Sequence, residues 1–129
     1  MAAVAEAIGG SDRVLVTTHE NPDGDALGSL LATSHALTQL GKDVRLLLAG
    51  TIPMPREYGF MNLSGVSRTP PSDLPQRTLV ALDCANARRI GPEHDHLLEN
   101  ARLVVNIDHH HDNSRFGDVN LVVPDASST

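Results

Sequence analysis

The sequence predicts an α/β fold with a mostly parallel sheet flanked by helices, and three observations carry that expectation. Apolar runs at 14–16, 44–48, 79–82 and 103–107 are rich in Val and Leu and do not alternate with polar residues. That pattern fits strands buried on both faces by covering helices. Between the first two runs, Leu27, Leu30, Leu31, Ser34, Leu37 and Leu40 recur at three- and four-residue spacing, the signature of one apolar helix face. Gly41 then comes directly after, a residue suited to a helix C-terminus, so residues 14–48 read as a βαβ unit.

The remaining elements can be placed in order. Residues 2–8 are expected to form a short leading helix. Residues 50–77 contain Pro53, Pro55, Pro70, Pro71 and Pro75 together with Gly59 and Gly65, which break any long element and leave room for short helical pieces around 56–61. A second helix is expected within 92–100, with Pro92 at an early helical position. Residues 119–123 resemble a further strand, followed by Pro124, Asp125, Ala126, Ser127, Ser128 and Thr129, a group that normally introduces another element.

Bulk composition narrows the function classes. At 129 residues and 40% hydrophobic content, the chain suits one domain with a real core. Aromatic residues are 2%, which argues against a base-stacking surface for single strands. The net charge of −6 disfavours holding a long duplex by bulk field, although two bound divalent cations would return about four positive charges locally. Cys84 is the single cysteine, so no intrachain disulfide forms, and a reducing, cytoplasmic setting is the simpler expectation. The N-terminus reads as no signal peptide and no run reaches membrane-span length, so no membrane partner is expected.

Three clusters carry chemistry. The first, His19-Glu20-Asn21-Pro22-Asp23-Gly24-Asp25, lies between the first strand and first helix, where open α/β sheets bind ligands. His19, Asp23 and Asp25 form a hard donor set suited to Mn²⁺ or Mg²⁺; alternatively the two carboxylates serve as turn and N-cap residues. The second is Asp83, closing the run 79–82. If that strand neighbours the first, Asp83 faces the same crevice and bridges two metals; otherwise it merely begins a turn. The third is Asp108-His109-His110-His111-Asp112-Asn113, again at a strand end, with imidazoles as ligands and a carboxylate to orient them, or an exposed polar loop. Three strands ending in Asp and His groups favour a shared metal site. Cys84 reads as a packed small residue. Arg88, Arg89 and Arg115 are candidates for contacting a substrate phosphate, although Arg88 and Arg89 read at least as well as solvated surface arginines.

These motifs resemble those of the DHH phosphoesterase superfamily: His19-x-Asn21-Pro22-Asp23-Gly24-Asp25 through Ser29, Leu82-Asp83, then Asp108-His109-His110-x-x-Asn113. Phe116-Gly117 through Asn120 and the stretch 124–129 resemble the family's segments downstream of its third motif, so the likeness runs from about Val14 onward. The Asn-Pro-Asp-Gly-Asp form most resembles the branch of bifunctional oligoribonucleases and 3′-phosphoadenosine 5′-phosphate phosphatases. The resemblance implies a DHH-type catalytic domain over 1–129, the N-terminal portion of a protein whose substrate-binding domain lies beyond it. It implies two Mn²⁺ ions, with His19 and Asp23 on one, Asp25 and His109 on the other, and Asp83 on both. His110 matches a residue near the scissile phosphate, and Asp108 one that supports the His pair. One further ligand of the second metal is not found, and Asp125 lies in a turn context that does not supply it. Phosphoester hydrolysis of short single-stranded RNA or a small phosphonucleotide is the implied activity, with a homodimer as the expected assembly. Two other readings stay open: a metal- or nucleotide-binding module without turnover, and a pyrophosphatase-like member of the same superfamily.

Overall fold

The computed structural model describes residues 1–51, 53, 54 and 56–129; of the chain-breaking prolines, Pro55 lies outside the described residues. Helix α1 (Ala2–Gly9) leads into β1 (Arg13–Thr17), α2 (Gly24–Gln39), β2 (Asp43–Leu47), β3 (Val66–Ser67) and β4 (Thr78–Leu82). Helix α3 (His94–Asn100), β5 (Leu103–Asp108) and β6 (Val119–Val122) complete the order. The described strands form one sheet in the order β3-β2-β1-β4-β5-β6, with every pairing parallel. From β1 the chain winds outward to β3, then returns to β4 and winds the other way. The switch therefore falls between β1 and β4, the position at which doubly wound sheets open a ligand crevice beyond their carboxyl ends.

The continuous apolar runs are explained by burial on two sides. Val14, Val16, Val80 and Leu82 pack with Leu27, Leu30 and Leu37 of α2 and Val4 of α1. Leu15, Leu79 and Ala81 face the other way, against Leu74, Ile90 and Leu97. All five residues of β4 are buried, each fully buried Leu or Val contributing about 1.5–3 kcal/mol relative to exposure. Alternation is still present, but both phases of it meet protein.

Boundaries differ from the sequence reading where local chemistry intervenes. Helix α2 starts two residues earlier than its apolar face, because the Asp23 carboxylate accepts a hydrogen bond from the Ala26 amide at 3.0 Å and caps the first turn. Its end matches expectation: Gly41 has φ +76°, and Lys42 N–H reaches the Leu37 carbonyl while Gly41 N–H reaches Thr38, a Schellman closure. Pro92 is not inside α3. Gly91 at φ +120° turns the chain there, Pro92 and Glu93 form a turn, and the helix starts at His94. A 3₁₀ turn at Arg56–Tyr58 matches the expected helical piece, whereas those at Leu74–Gln76 and Ala87–Ile90 and the two-residue β3 had no sequence signal. The last strand ends at Val122, one residue early.

Gly117 is fixed by space. A Cβ there would stand 2.9 Å from the Val119 carbonyl, 3.0 Å from the Asn106 amide and 3.1 Å from the Val104 carbonyl. All three are backbone atoms around β5 and β6, which cannot swing away. Gly117→Ala is expected to destabilise the fold by about 2 kcal/mol, read as a lower urea midpoint; an unchanged midpoint would mean that the β5–β6 connection can move aside.

Candidate metal centre

The site is built from three strand ends. At the end of β1, the Thr17 hydroxyl donates to the Leu47 carbonyl at 3.0 Å and the Thr18 hydroxyl to the Leu82 carbonyl at 2.8 Å. These bonds tie β1 to both neighbours just before His19, which is 4% exposed. At the end of β4, Asp83 adopts φ +56°, a left-handed conformation that short polar Asp tolerates. Its amide donates to the Ile107 carbonyl at 3.0 Å, continuing the ladder with β5. The third group comes directly after β5, so its position is set by that strand's register.

Asp83 stands at the centre and is 2% exposed. One carboxylate oxygen lies 3.8 Å from His19 Nε2. The other lies 3.5 Å from His109 Nε2 and 3.7 Å from His110 Nδ1. Two donor sets result, each with atoms within 4.8 Å of one another: His19, Asp23 and Asp83, and Asp83, His109 and His110. Asp83 belongs to both. Asp25 joins the second through His109, at 3.5 Å.

Hydrogen bonding fixes which ring atoms are free. His109 Nδ1 lies 3.1 Å from the Ala126 carbonyl, which can only accept, so Nδ1 carries the proton. In the neutral ring Nε2 then presents its lone pair between the carboxylates of Asp25 and Asp83, an arrangement that calls for a cation. His110 Nδ1 is committed to Asp108 at 2.8 Å, and Asn113 Nδ2 donates to the other Asp108 oxygen at 2.6 Å. Burial works against the Asp108 charge, but the bonds from Asn113 and His110 hold its carboxyl below the usual range. The bond that His110 donates to Asp108 in turn raises the pKa of His110. Burial lowers His19, with the Arg89 charge adding to the effect. Asp83 is raised by burial and by the neighbouring Asp25. Imidazole and carboxylate donors gathered around one buried carboxylate could hold a metal ion.

Other predicted residues fall elsewhere. Arg115 is exposed, at φ +52°; its amide donates to Asn113 Oδ1 at 2.6 Å, and among the described residues its guanidinium makes no bond to the site. Asp125 is exposed and outside both donor sets. Cys84 is buried, with its thiol pushed up by that burial, and its carbonyl accepts from Asn106 and Asn113. Asp23 serves as helix cap and site donor at once, so the two readings of that residue are compatible. Sequence reasoning gave no role to Thr129, whose amide and hydroxyl donate to Asp25 and Asp83 at 3.1 Å, or to Asn113, although Asn113 stood within the third motif.

With this geometry in view, comparison with known proteins is decisive. The profile described as the DHH family, N-terminal domain, matches residues 13–129. The chain belongs to the DHH family. Among its DHH relatives, the bifunctional oligoribonuclease and PAP phosphatase NrnA of Thermus thermophilus is 34% identical over 134 residues, covering 100% of this chain and 37% of that protein. The probable bifunctional oligoribonuclease and PAP phosphatase NrnA of Streptococcus mutans is 27% identical over 117 residues, covering 91% of this chain and 36% of that protein. The chain thus spans a little over a third of the length of these relatives. A crystal structure of an exopolyphosphatase-related protein from Bacteroides fragilis superposes with a TM-score of 0.84 at 22% identity, over 98% of this chain and 39% of that one, a likeness of fold. Among the described residues no helix is long and apolar enough to cross a membrane.

Proposed function

We propose that this chain is the catalytic part of a Mn²⁺-dependent phosphoesterase acting on short oligoribonucleotides, 3′-phosphoadenosine 5′-phosphate, or both. The observation that carries the reading is that buried Asp83 stands between His19 and Asp23 on one side and His109 with Asp25 on the other, an arrangement suited to two ions. His19 and Asp23 would hold one ion, Asp25 and His109 the other, and Asp83 both; Mg²⁺ fits the same donors. When bound, the ions supply Lewis acidity toward phosphate oxygens and a lowered pKa for water.

The chain's own groups do the rest. Asp108, kept ionised by Asn113, holds the His110 ring by Nδ1 and favours its protonated form, whose Nε2–H would donate the proton to the leaving oxygen. No Ser or Cys nucleophile is required, in keeping with the inert, buried Cys84 thiol. The oligoribonuclease and PAP phosphatase relatives support the substrate class. A second copy of the chain as partner, and a cytoplasmic location, belong to the same reading.

Calorimetric titration with Mn²⁺, run beside hydrolysis of a diribonucleotide and of the 3′-phosphonucleotide, tests this. Two ions bound with release of product supports it. Mn²⁺ binding with no product from the complete protein would make it a binding module, and no Mn²⁺ binding would remove the reading altogether. Carboxylates drawn together without a cation repel one another, so Mn²⁺ at a hundredfold excess over its Kd is expected to raise the melting temperature by roughly 10 °C. An unchanged melting curve would count against an assembled site.

A further inference from the structure

The cluster is rich in acid groups, yet one cation sits against it. Arg89 lines a cavity of about 90 Å³ together with His19, Glu20 and Asn21, and its charge is felt at both His19 and His110. Despite the carboxylates nearby, among the described residues its guanidinium makes no ion pair or hydrogen bond. Several other arginines share that lack among the described residues, and what sets Arg89 apart is its place beside His19. An arginine beside an anionic cluster and engaged by none of it is free for an anion from outside.

Its backbone is held firmly. The Glu20 amide donates to the Arg89 carbonyl at 2.8 Å, and the Arg89 amide to the Asn86 carbonyl at 3.2 Å. Two residues on, Gly91 brings the chain so close to the first loop that a Cβ would stand 3.3 Å from Glu20 Cβ and 3.4 Å from Ala49 Cβ. At φ +120° that position also requires glycine. The 3₁₀ turn at Ala87–Ile90 is thereby fastened to the loop that carries His19. Arg89 is preorganised at the backbone, with only its side chain left to adjust.

We propose that Arg89 grips the phosphoryl group of the substrate, its guanidinium binding a non-bridging oxygen on the His19 side of the site. A planar fork of donors matches phosphate oxygens and holds its charge at any working pH. Of the three arginines that the sequence offers, Arg89 is the one that lines a cavity with His19. This inference rests on the phosphoesterase reading and adds the residue that recognises the anion.

The test uses inorganic phosphate as the probe, titrated into the Mn²⁺-loaded chain, with Mn²⁺ affinity measured separately. Arg89→Gln is expected to weaken phosphate binding about tenfold or more while Mn²⁺ affinity stays the same or rises. Arg88→Gln, the neighbouring control, is expected to leave phosphate binding unchanged. Unchanged phosphate affinity in Arg89→Gln overturns the assignment and leaves the proposed function standing. Equal weakening of Mn²⁺ and phosphate, or an equal loss in Arg88→Gln, also overturns it, the first by making Arg89 a scaffold and the second by reducing it to bulk charge. Failure of the unmodified chain to bind Mn²⁺ would remove the phosphoesterase reading and this inference with it.

Discussion

Asp83→Asn is expected to do two opposite things to the protein. In metal-free solution it should stabilise the fold, because it removes a buried carboxylate whose ionisation is opposed by burial and by Asp25. With Mn²⁺ present it should remove most of the stabilisation the ion brings and nearly abolish hydrolysis in the complete protein. Affinity for Mn²⁺ is expected to fall by more than the 10–100-fold that loss of an outer-shell partner costs, since this residue serves both donor sets. The substitution is geometrically mild: Asn tolerates φ +56° as readily as Asp, and its amide oxygen can still accept from Thr129. The pH dependence carries a sign as well. A carboxyl raised in the folded state binds more protons there than in the unfolded chain. Metal-free stability therefore falls as pH rises from the usual aspartate range through the raised value, and Asp83→Asn should remove that fall. Melting curves with and without Mn²⁺ check all of this; normal Mn²⁺ stabilisation in the variant would end the bridging role.

Arg77→Met is expected to have the largest effect on the fold. Arg77 precedes β4 and is 1% exposed. Its guanidinium donates to Asp73 at 2.8 and 2.9 Å, to the Asp43 carboxylate at 2.7 Å, and to the carbonyls of Asp43 and Val14 at 3.1 and 3.3 Å. It thus ties together the amino ends of β1, β2 and β4, the edge opposite the metal centre. Met matches much of the aliphatic volume but supplies no donor, so the buried Val14 carbonyl loses that bond, while Asp73 and Asp43 keep only their longer contacts to Arg13 and Arg45. The carboxylates reach solvent, so the cost falls chiefly on the buried Val14 carbonyl and the lost strand ties, about 1–3 kcal/mol. Equilibrium urea unfolding reads it as a lower midpoint with unchanged slope. A midpoint equal to that of the unmodified protein would mean water replaces the guanidinium without loss. Mn²⁺ affinity measured on the folded fraction should be unchanged, since the network does not touch the site.

A single division separates the legible residues from the silent ones. His19, Asp83 and the Asp108–His110 group stood out because ionisable residues ended apolar runs, and parallel strands carry such ends to one edge of the sheet. The helix face of α2 and its glycine stop were legible for the same local reason. Arg89 stood among three candidate arginines with nothing local to single it out, since its place depends on a hydrogen bond from the Glu20 amide across about seventy residues and on the close approach at Gly91. Arg77 was silent for a like cause: nothing in a lone arginine before a strand distinguishes buried network from solvated surface. Thr129 reaches Asp25 and Asp83 over separations of 104 and 46 residues, and no pattern within a few residues announces such contacts. The two-residue β3 is shorter than any periodicity can register.

The pairing of β1 with β4 and of β4 with β5 is residue to residue, Val16 with Val80 and Val80 with Val105. Successive side chains on a strand point to opposite faces, so a slip of one residue would exchange inner and outer sets along the whole strand. Such a slip in β4 would also carry Asp83 about 3.3 Å along the sheet, comparable with its present distances to His109 and His110. The donor atoms therefore converge in one alignment of the central strands and in none of its near neighbours. Capture of a cation would discriminate a correctly threaded chain from a misthreaded one, giving the protein a chemical check on its own assembly.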